Sequence, residues 1–179
     1  DPGSGATRAL LKAGRCGLLV EWGDPGPLQL DDDAAAIKGK LYAISGLGSR
    51  EVLDRATGKL VPVTKANAPH SVDGINYAPF AAFGGWAGAV NKGADQKTKD
   101  AAYAFLSYMN QSAQSSVDVT IGATGYNPYR LSQLASPDLF VKAGMPQALA
   151  ENYIGAINGA LNSLTMASAS QIPGPQKYT

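Results

Sequence analysis

The residues in this sequence best suited to chemistry are aromatic and planar polar side chains placed at turns. Trp22 and Asp24 fall together in "EWGD", and Trp86 follows Gly84-Gly85 in "FAAFGGWAGAVN". Tyr126, Asn127, Tyr129 and Arg130 surround Pro128 in "GYNPYR". A sugar ring has apolar C–H faces and a rim of hydroxyls. Binding one calls for an aromatic platform and for polar groups such as Asp, Asn and Arg that bond in pairs. Glycines ahead of Trp86 let a ligand or another backbone approach closely. The competing reading makes both tryptophans core residues and leaves Tyr126 and Tyr129 half-buried. Their positions at element ends, outside the apolar stripes, favour recognition.

Other chemistries find little support. The one histidine, His70, sits beside Pro69 without a Gly-x-Ser-x-Gly elbow, so no nucleophile and base pair up and no enzyme is expected. No Cys/His cluster suits zinc, and the phosphate- and dinucleotide-binding glycine motifs are missing, so no cofactor is expected. Asp31-Asp32-Asp33 offers oxygens to calcium, but reads more simply as a solvated first helical turn. Asn110-Gln-Ser112 fits the N-glycosylation sequon, making Asn110 a possible acceptor in a secreted protein.

Elements must hold these residues in place. Residues 5–13 read as a helix closed by Gly14. The apolar runs 16–22 and 41–45 read as short strands, separated by the turn "GDPGP" and a short helix over 31–40. Residues 50–63 read as a hairpin about Ala56-Thr57-Gly58, followed by a long irregular stretch to 85. Residues 86–91 read as a third strand. From Asp95 the pattern turns helical: Ala102, Phe105, Leu106 and Met109 form an apolar stripe, with Asp95 or Thr98 as cap. A weaker helix over 112–125 stops at glycine. After Pro146 a longer helix carries Leu149, Tyr153, Ile157, Leu161 and Leu164. Short strands ahead of helices predict an α/β fold with few strands and a helix-rich C-terminal half.

Composition sets the outer bounds. The 179 residues are 45% hydrophobic and 16% charged, with a net charge of +1. No run of Lys/Arg exceeds two residues, which argues against nucleic acid as partner. No apolar run is long enough to span a membrane. Cys16 is the only cysteine, so no internal disulfide forms and the compartment stays open. The opening "DPGSGATRALLKAGRCG" has no signal-peptide pattern and reads as a mature form or a fragment.

The order of these segments resembles the C-terminal part of extracellular solute-binding proteins of ABC transporters, of the sugar- and maltodextrin-binding type. The segments carrying the resemblance are "GLLVEWGDPG", "IKGKLYAI", "FGGWAGAVN", "DQKTKDAAYAFLSYMN", "GATGYNPYR" and "QIPGPQKY". Together they run from Arg8 to Tyr178. The resemblance implies a partial type II periplasmic-binding-protein-like fold, extracellular or periplasmic, with the hairpin and loop at 49–85 inserted. It implies that Trp22, Asp24, Gly85 and Trp86 line a cleft between two lobes, and that Tyr129 and Arg130 contact ligand or hold the hinge. The ligand it implies is a solute, foremost a carbohydrate, and the partners are an N-terminal lobe absent from this chain and a transporter permease. The alternative is a binding-protein-like ectodomain of a membrane receptor or surface assembly, used for sensing or adhesion. If a two-lobed binder with micromolar affinity, about −8 kcal/mol, loses half its contacts, about −4 kcal/mol remains, which is millimolar. The isolated chain is therefore expected to bind weakly.

Overall fold

The computed structural model describes residues 4–79 and 87–166. They form mixed helix and short strand, with helix dominant. The chain divides into two compact units, one drawn from residues 4–43 and 87–154, the other from 44–79 and 155–166.

In the first unit, α1 (Ser4–Lys12) ends where Gly14 adopts the left-handed region. There Arg15 N–H bonds Leu10 O at 2.9 Å and Gly14 N–H bonds Leu11 O at 2.8 Å, which satisfies carbonyls the helix leaves open. Leu11 joins Leu28, Ala34 and Ile37 in a small core, with Cys16, Leu19 and Leu41 packed against it. Leu28 belongs to α2 (Pro25–Leu28), whose prolines suit a first turn that needs no N–H bonds. Residues 31–40 do not form the expected helix but a run of turns, with Ala34 N–H bonding Asp31 O and Ile37 N–H bonding Ala34 O. Asp31 and Asp33 are both ion-paired to Lys12, with Asp33 still largely exposed, and they open a run of turns where a first helical turn was expected. The bond to Asp33 is the main reason the Lys12 ammonium titrates above its ordinary range.

The apolar runs 16–22 and 41–45 form no strand among the described residues, and each carries a bend, at Gly17 and at Ser45. Leu19 faces the core while Leu18 and Val20 stay 75% and 81% exposed. A buried strand needs neighbours on both edges, and among the described residues of this unit no sheet forms for these runs to join. One substitute exists: the Asn152 side chain accepts from Ala43 N–H at 2.7 Å and donates to Ala43 O at 3.0 Å, as a strand partner would. Residues 87–91 also lack strand pairing.

Downstream come α3 (Gln96–Met109), α4 (Ser112–Asp118), a 3-10 turn (Gly122–Thr124), α5 (Leu131–Leu134), α6 (Asp138–Lys142) and α7 (Gln147–Leu161). Asp95 caps α3, accepting from Thr98 N–H at 3.0 Å and Thr98 Oγ1 at 2.7 Å. The expected stripe on α3 is not buried: Leu106 lies against Gly88, while Phe105 is exposed. The buried face of α7 is Leu149, Ala150, Tyr153 and Ile154, and Tyr153 meets Phe140 of α6 edge-on, centroids 5.1 Å apart. Leu161 and Leu164 are exposed.

The second unit holds the strands, in two antiparallel pairs. β2 (Glu51–Asp54) and β3 (Lys59–Pro62) pair from Glu51↔Pro62 to Asp54↔Lys59. Asp54 orders the turn between them, accepting from Ala56 N–H at 2.9 Å and Thr57 Oγ1 at 2.7 Å. β1 (Gly48–Ser49) pairs with β4 (Asn76–Tyr77). Ahead of β4, Asp73 and Gly74 both take positive φ inside a Val72↔Ile75 bridge. This is a type I′ turn in a stretch expected to be irregular, and "VDGI" is its sequence signal.

Candidate functional site

An open groove with both aromatic and charged lining lies in the first unit, between Arg8, Trp22, Thr124, Gly125 and Tyr126, with a volume of about 430 Å³. That is within the range of small-molecule sites, about 300–1,000 Å³. Three separate segments build it. α1 supplies Arg8 and the irregular run 16–22 supplies Trp22. The 3-10 turn supplies Thr124, with Gly125 and Tyr126 directly after it. Trp22 and Tyr126 are 45% and 40% exposed, so each offers ring surface to a ligand. Gly125 has φ of 68°, a conformation an L side chain strains to hold, so its bare backbone forms part of the wall.

The charged floor is a buried ion pair. Arg8 Nη2 donates to Asp24 Oδ1 at 2.9 Å and lies 2.8 Å from Asp24 Oδ2. Asp24 is 1% exposed. Burial pushes its carboxyl above the ordinary range, with the Arg8 charge acting in the opposite sense. Glu21 completes the group: one oxygen accepts from Trp22 N–H at 3.1 Å and the other lies 3.7 Å from Arg8 Nε. Behind the pair, the Tyr153 ring lies flush on Gly26, where even a methyl group would collide with it at 2.3 Å. Gln29 donates to Gly26 O at 3.1 Å. Burial, and then the charge of Asp24, push the Tyr153 phenol far above its usual range. Among the described residues, four buried side-chain atoms lack a hydrogen-bond partner: Arg8 Nε, Asp24 Oδ2, Gln29 Oε1 and the Tyr153 hydroxyl. All four belong to this neighbourhood.

The residues singled out from sequence separate into three groups. Trp22 lines the groove, and Asp24 stands behind its wall, holding Arg8 in place. Tyr129 and Arg130 are engaged elsewhere in the unit. Arg130 Nε donates to Ser115 Oγ at 3.0 Å, its Nη2 donates to Asn110 O, and the guanidinium sits 5.5 Å from the Tyr129 ring centroid. Arg130 thus ties the end of α3 to α4 and to the start of α5. Gly85 and Trp86 lie outside the described residues. Asn110, the sequon residue, is exposed and donates its side-chain amide to Leu106 O at 2.9 Å. Arg8, Thr124, Gly125 and Tyr126 complete the groove, and Glu21 stands beside Arg8. No local motif announces Arg8, because its partner Asp24 is 16 positions away. Gly125 had a signal in "GATGY", a glycine directly after a helical stretch.

No group of three or more His, Cys, Asp or Glu among the described residues is placed to hold a metal ion. No helix among them is long and apolar enough to cross a membrane. Compared with known proteins, the chain matches no family model, no curated protein and no solved structure.

Proposed function

We propose that this chain is a solute-binding lobe, of the kind found in the C-terminal part of extracellular solute-binding proteins, and that its groove binds a carbohydrate. One observation carries the reading: Trp22, Tyr126 and Arg8 come from separate stretches of sequence and line the same groove. Two partly exposed aromatic rings suit the C–H faces of a pyranose, and a guanidinium held by Asp24 suits its hydroxyls. The finer fold assignment, a partial type II binding-protein lobe, rests on the order of segments in the sequence, as does delivery to a transporter after closure against a second lobe. The role we read for the site is recognition, since its lining residues offer no nucleophile–base pair.

The test is a titration of the Trp86→Phe variant, in which Trp22 is the only tryptophan, with a neutral malto-oligosaccharide. Millimolar, saturable change in Trp22 fluorescence is expected, weakened at least about tenfold by Tyr126→Ala, the loss of one stacking face. No saturable change at any attainable sugar concentration contradicts the proposal.

A further inference from the structure

The three nitrogens of the Arg8 guanidinium have different surroundings. Nη2 is taken by Asp24, and Nε is buried with Glu21 at 3.7 Å. Nη1 meets no acceptor among the described residues and, unlike Nε, is not closed off from solvent. It lies 3.7 Å from where a Cβ on Gly125 would sit, so the glycine leaves it uncovered on the groove side. The other lining side chains bring no dedicated acceptor. The Trp22 indole can only donate, and the Tyr126 hydroxyl can do either. Thr124 Oγ1 accepts from Tyr126 N–H at 3.3 Å and lies 2.8 Å from both Asp118 O and Ile121 O, so its one proton is spent within its own turn. A ligand entering here is met mainly by donors. A ligand ammonium, which also only donates, would leave itself and Nη1 unpaired, whereas a carbonyl oxygen takes the bond. Asp24 already pairs with Arg8, so that acceptor needs no charge of its own.

Building on the carbohydrate reading, we infer that the groove takes an acetamido sugar, with the carbonyl oxygen on Arg8 Nη1, and that Gly125 is the residue that sets access to this nitrogen. A side chain at Gly125 would stand over Nη1 without touching either aromatic ring's identity. Asp24 is then a positioning residue, holding the guanidinium by Nη2 so that Nη1 is the edge left for ligand.

Two probes on one ring test this. D-glucosamine and N-acetyl-D-glucosamine differ only at C2, and at about pH 6 the free amine is protonated. Both are titrated into the Trp86→Phe chain and read by Trp22 fluorescence. The acetamido sugar is expected to bind about fivefold more tightly, the worth of one hydrogen bond at a site open to water. The preference is expected to vanish in Gly125→Asn, since asparagine tolerates the left-handed φ of 68° and its side chain covers Nη1. Thermal unfolding shows whether that variant is folded; if it is not, the two-sugar comparison in the parent chain decides alone. Equal affinity for the two sugars, or tighter binding of glucosamine, overturns the inference and leaves the carbohydrate reading standing. A preference that survives in folded Gly125→Asn also overturns it, because it would come from the acetyl methyl group on the rings. If Trp22 responds to neither sugar nor to a neutral oligosaccharide, both readings fall together.

Discussion

Asp24 is nearly invisible to solvent yet carries a charge next to the groove. Its carboxyl titrates above the ordinary 3.8 because burial outweighs the attraction of Arg8. The folded state therefore holds this proton more tightly than the unfolded one. Stability from the group is full below about pH 3.8 and is lost as pH rises through the folded value. A neutral isostere should then cost little. Asp24→Asn is expected to change unfolding free energy at neutral pH by less than about 1 kcal/mol and to remove that pH slope. Asp24→Ala leaves Arg8 Nη2 without an acceptor and is expected to cost about 1–3 kcal/mol. Denaturant unfolding of the two variants between about pH 3 and 7 decides the matter. An Asn variant as unstable as the Ala variant would mean that the charge itself stabilises the fold. At this scale the place of Trp22 in the groove had a local signal, a tryptophan at a turn, whereas Tyr129 packs with Arg130 away from the groove. Arg8 had none, since only the fold brings residues 8 and 24 together.

At the scale of elements, the groove depends on how closely α2 meets the 3-10 turn. Gly122 is the contact. A Cβ there would lie 2.7 Å from Leu28 Cα and 2.8 Å from Leu28 N, both backbone atoms that cannot rotate away. Gly122→Ala is expected to destabilise by at least about 2 kcal/mol and to loosen Thr124–Tyr126 at the groove. Gly5→Ala, at a helical position with nothing within 4 Å, is expected to be neutral or slightly stabilising. Equal thermal unfolding of the two variants would contradict this packing. The cap of α3 gives a second element-scale prediction. Bonds from Thr98, side chain first and then backbone, hold the Asp95 carboxyl below its usual range. Its contribution is present above about pH 3.8 and is lost as pH falls through the folded value. Wild type is expected to be more stable than Asp95→Ala at neutral pH, and amide hydrogen exchange in α3 should differ least between them in acid. Helix ends were readable from sequence where chemistry is local: Gly14 closing α1, Asp95 opening α3. The strands over 16–22, 41–45 and 86–91 were not. Apolar runs register a local preference for extension. Pairing, however, depends on a neighbour that no local window contains. The Asp73-Gly74 turn went unread because the stretch around it looked irregular as a whole.

At the scale of the molecule, the described residues divide into two units, and each can be tested for what it holds. The first carries the Trp22 groove. The second carries an open groove of about 450 Å³ lined by Ile44, Ser45, Leu47, Ile75 and Tyr77 with two glycines, half of its surface polar and without a charged side chain. A mixed helix-and-strand composition was legible from periodicity alone. The division into units was not, because α7 runs across it after Ile154 without a break in its pattern. The two grooves differ in chemistry, so a carbohydrate should find only the first. The most direct measurement is an amide and arginine side-chain NMR titration of the intact chain with a neutral oligosaccharide. Shifts that saturate together at Trp22, Gly125, Tyr126 and Arg8 Nε–H, with a millimolar dissociation constant, are predicted. Shifts confined to Ile44–Gly48 and Ile75–Tyr77, or none at saturating sugar, would contradict the assignment of the groove.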